Sequence, residues 1–242
     1  MGPDHPDFGT SLSHLAVLYF SQGRYAEAEP LMKRSLTIKE NAYWSRHSSV
    51  ATSHSNLGSL YRAQGRFREA EVQIKLSLEL YEMALGHEHQ SVATSLSNLA
   101  ELYLLQARYL EAEALHERSF AIREKVLGHE HPHVAISLNN LAGLYRARGD
   151  YAKAEVYYKR SLAIREMVFG PDHPDVAGSL TNLAGLYNIQ GRYAEAEEFY
   201  KRGQPILERA LGHEHPHIAV LLNNLAGLYR AQGDYAKAEV YY

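Results

Sequence analysis

The chain repeats itself every 42 residues, and this period constrains its fold more than any other feature. Residues 138–158 read LNNLAGLYRARGDYAKAEVYY, and residues 222–242 repeat that segment with one change, Gln232 in place of Arg148. A more divergent copy occupies residues 180–200, halfway between them. Repeats of about 20 to 50 residues are typical of solenoids. The sequence therefore predicts an elongated array of one repeated unit, with six copies in 242 residues, and no single central core.

Equivalent positions in the six copies carry the same kinds of residue. A leucine column is followed by a column of small residues, and a tyrosine column comes three positions later. These columns are Leu15, Leu57, Leu99, Leu141, Leu183 and Leu225; Ala16, Gly58, Ala100, Ala142, Ala184 and Ala226; and Tyr19, Tyr61, Tyr103, Tyr145, Tyr187 and Tyr229. A later column is Ala28, Ala70, Ala112, Ala154, Ala196 and Ala238, and each of these alanines is followed by glutamate. We interpret the apolar columns as core packing, and the glutamates as a solvated face with i,i+4 pairing.

Each copy is predicted to contain two helices, which we name A and B. In the fourth copy, the apolar residues between Pro132 and Arg148 have the spacing of an amphipathic helix. Gly149 breaks that helix, and Asp150 can cap the second one, which is expected from about Tyr151 to Phe169. Gly170 supplies the stop because glycine adopts positive φ without strain. Since the turn is short, the two helices should run antiparallel.

The repeats are expected at residues 5–46, 47–88, 89–130, 131–172 and 173–214, with an incomplete sixth at 215–242. We expect residues 1–242 to form one domain of the all-α class, a right-handed superhelix of about six helix pairs with the last pair truncated. Neither end carries a polar capping repeat, so we interpret the chain as an excerpt of a longer array.

Three copies depart from the pattern. Trp44 stands where the first connector should have glycine, so the first B helix is expected to overrun its usual end. Ala107 replaces the glycine of the third A–B turn, which should cost strain or change the turn geometry. In the fifth copy, Gly203 and Pro205 should interrupt and kink the B helix, since an interior proline removes an amide donor.

The composition excludes several classes of function. No run approaches the ~18 apolar residues of a membrane span, so we expect no membrane partner. The net charge is −3 and no block of like charges occurs, so a nucleic-acid footprint is not indicated. Cysteine is absent, which fits a reducing compartment, and we expect a cytoplasmic location.

The histidine-rich connectors imitate a metalloprotease motif. His129, Glu130 and His133 match H-E-x-x-H, and residues 213–217 match it again. That motif binds zinc only when both histidines lie one turn apart on a regular helix. Here Pro132 falls between them in a connector, so we favour capping and packing, and leave incidental zinc or nickel binding open. No phosphate loop, nucleophile elbow or carboxylate pair is present, so we expect no enzyme, no cofactor and no metal site.

The pattern of leucine, small residue, tyrosine, glycine, aromatic residue and alanine resembles the tetratricopeptide repeat. Its usual unit has about 34 residues. The 42-residue unit, its L-G-x-x-H-P connector and the NNLA segment of helix A resemble the kinesin light chain type of that family. The resemblance implies that the A helices line a concave groove. Kinesin light chains are known for binding acidic, Trp-containing cargo peptides in this groove.

Two polar columns beside the leucines are the candidate binding residues. They contain His14, Asn56, Asn98, Asn140, Asn182 and Asn224, and Ser13, Ser55, Ser97, Asn139, Thr181 and Asn223. Asparagine offers donors and an acceptor that match a peptide backbone. Nearby Arg62, Arg146 and Arg230 favour carboxylates, and Gly143 and Gly185 leave room for a ligand. We predict a peptide-binding groove formed by Asn56, Asn98, Asn139, Asn140, Asn182, Asn223, Asn224, Arg62, Arg146 and Arg230. In the alternative interpretation, these asparagines bridge adjacent repeats or cap backbone carbonyls.

Three functions stay open at this point. The first is an interaction scaffold for an extended acidic peptide. The second is head-to-tail self-association, in which Leu12, Leu15 and Tyr19 at one end contact residues 240–242 of another copy. In the third, the array is the sensing arm of a larger multidomain protein.

Overall fold

The computed structural model describes residues 4–43 and 47–241, and every regular element within them is an α-helix. The A helices are α1 (Pro6–Ser21), α3 (Ser48–Ala63), α5 (Gln90–Leu105), α7 (Pro132–Ala147), α9 (Pro174–Ile189) and α11 (Pro216–Ala231). The B helices are α2 (Tyr25–Ala42), α4 (Phe67–Leu85), α6 (Tyr109–Leu127), α8 (Tyr151–Phe169), α10 (Tyr193–Leu211) and α12 (Tyr235–Tyr241). The predicted all-α class and its repeated helix pairs are confirmed.

The helices of the fourth repeat begin and end where the sequence predicts. α7 ends one residue before Arg148, and the predicted limits of α8 are correct. Gly149 has a φ of 81°, in the left-handed region that favours glycine. Asp150 caps α8, because its Oδ1 accepts a hydrogen bond of 3.3 Å from the Lys153 amide. Gly170 follows α8 with a φ of 83°.

A histidine caps each A helix. Its Nδ1 accepts a hydrogen bond from the backbone amide two residues later, as in the 3.1 Å bond from the His133 amide to His131. The six capping residues are His5, His47, His89, His131, His173 and His215. The ring nitrogen takes the part that a serine or aspartate oxygen usually plays at this position. The capping interpretation of the histidine-rich connectors is confirmed for these residues.

The structure shows the effect of two departures from the repeat pattern, at the third A–B turn and in the fifth B helix. Ala107 keeps the left-handed turn that glycine makes elsewhere, with a φ of 57°, so the turn geometry is retained at the cost of strain. The prediction for the fifth B helix was wrong as to continuity, because α10 runs without a break from Tyr193 to Leu211 through Gly203 and Pro205. Packing on the neighbouring A helices holds it helical despite the missing amide.

The first B helix does not overrun its usual end. α2 ends at Ala42, one position earlier than the equivalent residue of α4, so this prediction was also wrong. Trp44, on which it depended, lies outside the described residues.

The chain forms two compact units, residues 1–126 and 127–242. Within each unit, the A and B helices of a pair pack against each other, as α1 does on α2 and α7 on α8. Each pair also packs on the next, because α2 contacts α3 and α8 contacts α9. The core of each unit is therefore formed by the side chains between these helices, and it continues from one helix pair to the next.

The predicted core columns are buried, except for Leu15 and Tyr19 of α1. Leu57, Leu99, Leu141, Leu183 and Leu225 are at most 3% exposed, and all six alanines of the B-helix column are at most 3% exposed. Leu15 is 39% exposed, since no described helix packs on that side of α1. A buried serine then joins helix B to helix A within a pair, as Ser161 Oγ does by donating to the Ala135 carbonyl at 2.8 Å.

The glutamate column joins neighbouring pairs. The predicted i,i+4 pairing is present, with 2.6 Å between Lys159 Nζ and Glu155 Oε1. The solvated-face interpretation was incomplete, because Glu155 is 19% exposed and also accepts hydrogen bonds from Arg192 and Tyr187 of the next pair. Burial raises the pKa of Glu155, but its three hydrogen-bond donors outweigh it and lower that pKa to about 2.

Candidate functional site

One side of the A helices is left open by the B helices, and we call it the A face. It consists of the columns that contain Asn139, Asn140, Gly143 and Arg146 in α7. These four residues are half-buried, whereas the leucine columns beside them are buried. Within each unit, the A face is therefore a row of polar and small side chains that repeats from one A helix to the next.

All ten predicted binding residues lie on the A face and reach solvent. Asn223 and Arg230 are exposed, and the other eight are half-buried. Those eight are Asn56, Asn98, Asn139, Asn140, Asn182, Asn224, Arg62 and Arg146. The fold thus gathers them on one side of the A helices within each unit, while their role in binding stays a prediction.

One asparagine pair bridges two repeats. Asn182 Nδ2 on α9 donates a hydrogen bond of 2.8 Å to Asn139 Oδ1 on α7. The bridging interpretation is therefore confirmed for this pair. Each side chain still has capacity for a ligand, because an amide offers two N–H donors and an acceptor with two lone pairs.

The glycines of the A face admit tyrosines from the B helices. A Cβ at Gly143 would lie 3.7 Å from the hydroxyl of Tyr158, and one at Gly185 would lie 3.7 Å from the hydroxyl of Tyr200. Both tyrosines are buried. The space that the sequence suggested for a ligand is thus partly filled by phenol groups. Their hydroxyls lie at the edge of the A face.

The third repeat replaces this glycine and tyrosine with a carboxylate and an imidazole. Glu101 stands in the glycine column and His116 in the tyrosine column, with 3.7 Å between Oε1 and Nε2. His116 is 1% exposed, and neither ring nitrogen has a hydrogen-bond partner. Burial, with a smaller contribution from Arg123, lowers the pKa of His116 to about 4. Burial also raises the pKa of Glu101, which Arg62 opposes. His116 is therefore neutral at pH 7, and it does not form an ion pair with Glu101.

Lysine and arginine side chains of the B helices also reach the A helices. They were not among the binding residues predicted from the sequence. Lys39 is 5% exposed and donates to the hydroxyls of Ser13 and Ser53 at 3.1 and 3.2 Å. Arg165 Nη1 donates to Ser179 Oγ at 2.6 Å. Burial lowers the pKa of both Lys39 and Arg165. The whole column is Lys39, Tyr81, Arg123, Arg165 and Leu207. Its signal was readable in the sequence, since Lys39 and Arg165 each precede a serine by 14 residues.

The second unit contains a cavity of about 440 Å³ beside Arg165. Arg165 lies on its wall, together with the N-terminal half of α9. Leu207 and Leu211 of α10 and Val220 of α11 supply apolar surface. The remaining lining residues are Pro174, Asp175, Gly178, Thr181, Asn182 and His217. An amide, a hydroxyl, a carboxylate, an imidazole and a guanidinium thus border an apolar space.

The histidines of the connectors do not form a helical metal motif. His129 lies in a turn and His133 lies in the first turn of α7, so the two are not on one helix. Within residues 4–43 and 47–241, no group of three or more potential ligand side chains could hold a metal ion.

The sequence matches models of the tetratricopeptide repeat at residues 9–47, 49–125, 91–167, 133–209 and 175–242. The chain belongs to the tetratricopeptide repeat family. This confirms the family that the repeat columns indicate. Because members of this family generally act as non-enzymatic scaffolds, the fold suggests a protein-interaction function.

Solved structures place this tetratricopeptide array beside the kinesin light chain type. A Podosopora anserina protein, described as a kinesin light chain with nearly identical TPR-like repeats, is 29% identical with a TM-score of 0.70. That match covers 86% of this chain and 98% of the other. BtubC (BKLC) from P. vanneervenii is 26% identical with a TM-score of 0.73, over 87% of this chain and 84% of its own. A search of curated proteins finds no match.

A further similarity shows the fold alone. Aspartyl phosphate phosphatase F from Bacillus subtilis is 14% identical, with a TM-score of 0.71 over 95% of this chain and 67% of its own. No helix in the described part of the array is both long and apolar enough to span a membrane.

Proposed function

We propose that this tetratricopeptide array is a non-enzymatic scaffold that binds an extended, acidic peptide segment along the A face. The observation that carries the proposal is the repetition of half-buried asparagines on successive A helices, with arginine beside them. Asparagine can pair with the N–H and C=O groups of an extended backbone. Arginine can bind the carboxylates of acidic side chains, in bidentate geometry where space allows.

The spacing of the helices suits an extended ligand. Packed helices lie ~8–10 Å apart, and an extended chain advances ~3.3 Å per residue. Each A helix can therefore contact about every third residue of the peptide. In the second unit, Arg146 lies on α7 and Arg230 on α11, with α9 between them in the chain. Acidic residues separated by several positions would fit this arrangement better than one acidic cluster.

Two asparagines in the second unit provide the test. A peptide is selected from a displayed random dodecapeptide library with the wild-type chain and then titrated. Replacing both Asn140 and Asn224 with alanine should weaken its affinity by about tenfold, since each change removes hydrogen bonds to the ligand. The melting temperature should not change, because the side chain of neither residue has a hydrogen bond within the described protein.

Asn41 is the matched control. It is an exposed asparagine on the B helix α2, and its replacement by alanine should leave both affinity and melting temperature unchanged. Unchanged affinity of the double variant would contradict the proposal, as would an equal loss in the Asn41 variant.

A second candidate function is head-to-tail self-association. Leu18 is 51% exposed on α1, whereas its equivalents Leu60, Leu102, Leu144, Leu186 and Leu228 are fully buried. Val240 on α12 is 81% exposed. These apolar surfaces could pack against each other between two copies, since heterologous contacts of this kind build rings or filaments. Light scattering over a concentration series should then show a mass that rises with concentration. A monomer at every concentration would rule this function out.

A further inference from the structure

The cavity of the second unit lies where the fifth repeat lacks a hydrogen bond between helix B and the next A helix that other repeats form. In the first and fourth repeats, Lys39 and Arg165 cross to the next A helix and donate to Ser53 and Ser179. In the fifth repeat, the equivalent residues are Leu207 and Leu221. Both members of the contact change together from polar to apolar. The change is therefore a coherent replacement of a cation and hydroxyl pair by a leucine pair.

Two smaller side chains keep the resulting space open. Leu207 ends short of the surface that a lysine or arginine would reach. Gly178 stands in a column that carries threonine in the first three repeats, and a Cβ added there would meet no atom within 4 Å. The cavity of about 440 Å³ lies beside this glycine. The corresponding space beside Tyr81 is smaller, at about 170 Å³.

Arg165 gives the cavity a charged wall with spare hydrogen-bonding capacity. Only its Nη1 is engaged, with Ser179 Oγ at 2.6 Å and the Asp175 carbonyl oxygen at 3.2 Å. Its remaining guanidinium N–H groups donate to no described residue, and no described carboxylate forms an ion pair with it. Asp175 stabilises the charge of this half-buried guanidinium without forming a direct ion pair, so the remaining N–H groups can bind a ligand carboxylate.

Asp175 is the one carboxylate among the residues that line the cavity. Its side chain is 57% exposed and sits at the start of α9, near His173 Nδ1 at 4.0 Å. At the rim it would partly repel an incoming anion, and the guanidinium deeper in the wall would attract it. The carboxylate that binds Arg165 should therefore approach from the side of Asn182 and not over Asp175.

We propose that this cavity is the anchor subsite of the A face, and that it binds an aliphatic side chain of the peptide against Leu207 and Val220 while Arg165 binds the carboxylate of an adjacent acidic residue. This inference rests on the proposed peptide-binding function and assigns it a place and a ligand chemistry. Arg165 lies on α8, the B helix of the fourth repeat, so the subsite includes a residue from outside the A face.

Selection from a displayed random dodecapeptide library tests the subsite without a known ligand. The wild-type chain should enrich peptides in which an aspartate or glutamate adjoins an aliphatic residue. Arg165→Met removes the charge and keeps the length, so the acidic preference should disappear. Leu207→Arg restores the residue type of the third and fourth repeats and fills the cavity, so the aliphatic preference should disappear.

Titration of the best wild-type peptide makes the test quantitative. Arg165→Met should weaken its binding by about tenfold, as expected for the loss of a charged hydrogen bond. Arg165→Lys should retain part of the affinity because the charge remains. Asp175→Asn should tighten binding by removing the repulsion at the rim. Thermal melting of each variant shows whether it is folded, so that a loss of binding can be assigned to the subsite.

The outcomes separate the two proposals. If the wild-type chain enriches no peptide family, the peptide-binding function fails and the subsite fails with it. If wild type enriches a family that folded Arg165→Met and Leu207→Arg bind equally well, the function stands and the subsite is wrong. A selective loss of the acidic preference in one variant and the aliphatic preference in the other supports the subsite.

Discussion

At the scale of single residues, His116 is the least satisfied side chain that the structure describes in its core. It occupies a column that holds Met32, Ile74, Tyr158 and Tyr200 in other repeats. Those side chains are apolar or carry one hydroxyl near the A face, whereas both nitrogens of His116 are buried without a partner. Such groups cost about 1–3 kcal/mol each. The buried, unpaired nitrogens of His116 therefore lower the stability of the third repeat.

We predict that His116 makes the array sensitive to moderate acid. An unfolded histidine takes up a proton near pH 6.5, whereas burial lowers the pKa of His116 to about 4. Since the unfolded chain binds this proton first, the free energy of unfolding should fall as pH drops from 6.5 to about 4, by about 3 kcal/mol. Denaturant unfolding across this pH range measures the loss.

His116→Met is the matched variant, because Met32 fills this column in the first repeat. The variant should lose the His116 contribution to the slope and be at least as stable as wild type at pH 7. Glu101 contributes an opposite slope, because burial raises its pKa, but both proteins retain it. Parallel stability curves for the two proteins would show that His116 is not the sensitive group.

The sequence could not show the state of His116, since burial and the missing partners emerge only when α5 and α6 pack together. It did predict the strain at Ala107, because only one residue in the turn column lacks the freedom of glycine. A turn that needs positive φ recurs at the same position of each repeat, so the sequence alone shows where an unsuitable residue stands. The environment of a buried side chain depends on residues from several helices, so the sequence alone does not show it.

At the scale of the helices, the histidine caps fix where each A helix begins. Their Nδ1 atoms accept from amides that no helical carbonyl can pair with. We predict that His131→Ala will lower the free energy of unfolding by about 1 kcal/mol. His131→Asn should retain most of the stability, because asparagine is also a good N-cap. Denaturant unfolding of both variants checks this, and an equal loss in both would show that capping is not the role of His131.

The helix α10 lacks a contact that other B helices make. Ser35, Ser119 and Ser161 donate to carbonyls of the paired A helix, whereas Gly203 takes their place in α10. A Cβ at Gly203 would lie 3.5 Å from the Ala177 carbonyl oxygen, which is ordinary contact. We predict that Gly203→Ser will stabilise the protein by about 1 kcal/mol, through the new hydrogen bond and better helix propensity.

Thermal melting tests the Gly203→Ser variant, with Gly203→Ala as its control. Alanine should gain from helix propensity but lack the hydrogen bond. A serine variant that melts below wild type would show that the A and B helices are too close at this point for any side chain.

The sequence predicted helix limits well where caps, turn glycines and apolar spacing agree, as they do in the fourth copy. It failed at α10, where the local rule for proline was applied without the packing of its neighbours. It also failed at the end of α2, where an atypical connector gave no reliable signal. Tertiary contacts decide helix continuity when a local signal opposes them.

At the scale of the whole molecule, the 42-residue period was enough to predict the family, the pairing of helices and the core columns. It also placed the asparagine and arginine columns on one side of the A helices. The column of Lys39 and Arg165 was not predicted, because those residues belong to B helices that were interpreted as solvated. The serine 14 residues after each of them is a signal in the sequence, and the stacking of neighbouring pairs explains it.

The most direct test of the central claim is an NMR titration of the isotope-labelled chain with a peptide that it selects from the library. The side-chain amide signals of Asn140, Asn182 and Asn224 should shift in proportion to binding, while that of Asn41 on α2 stays in place. Binding that leaves the three A-face amides unchanged and shifts signals from the B helices would contradict the claim.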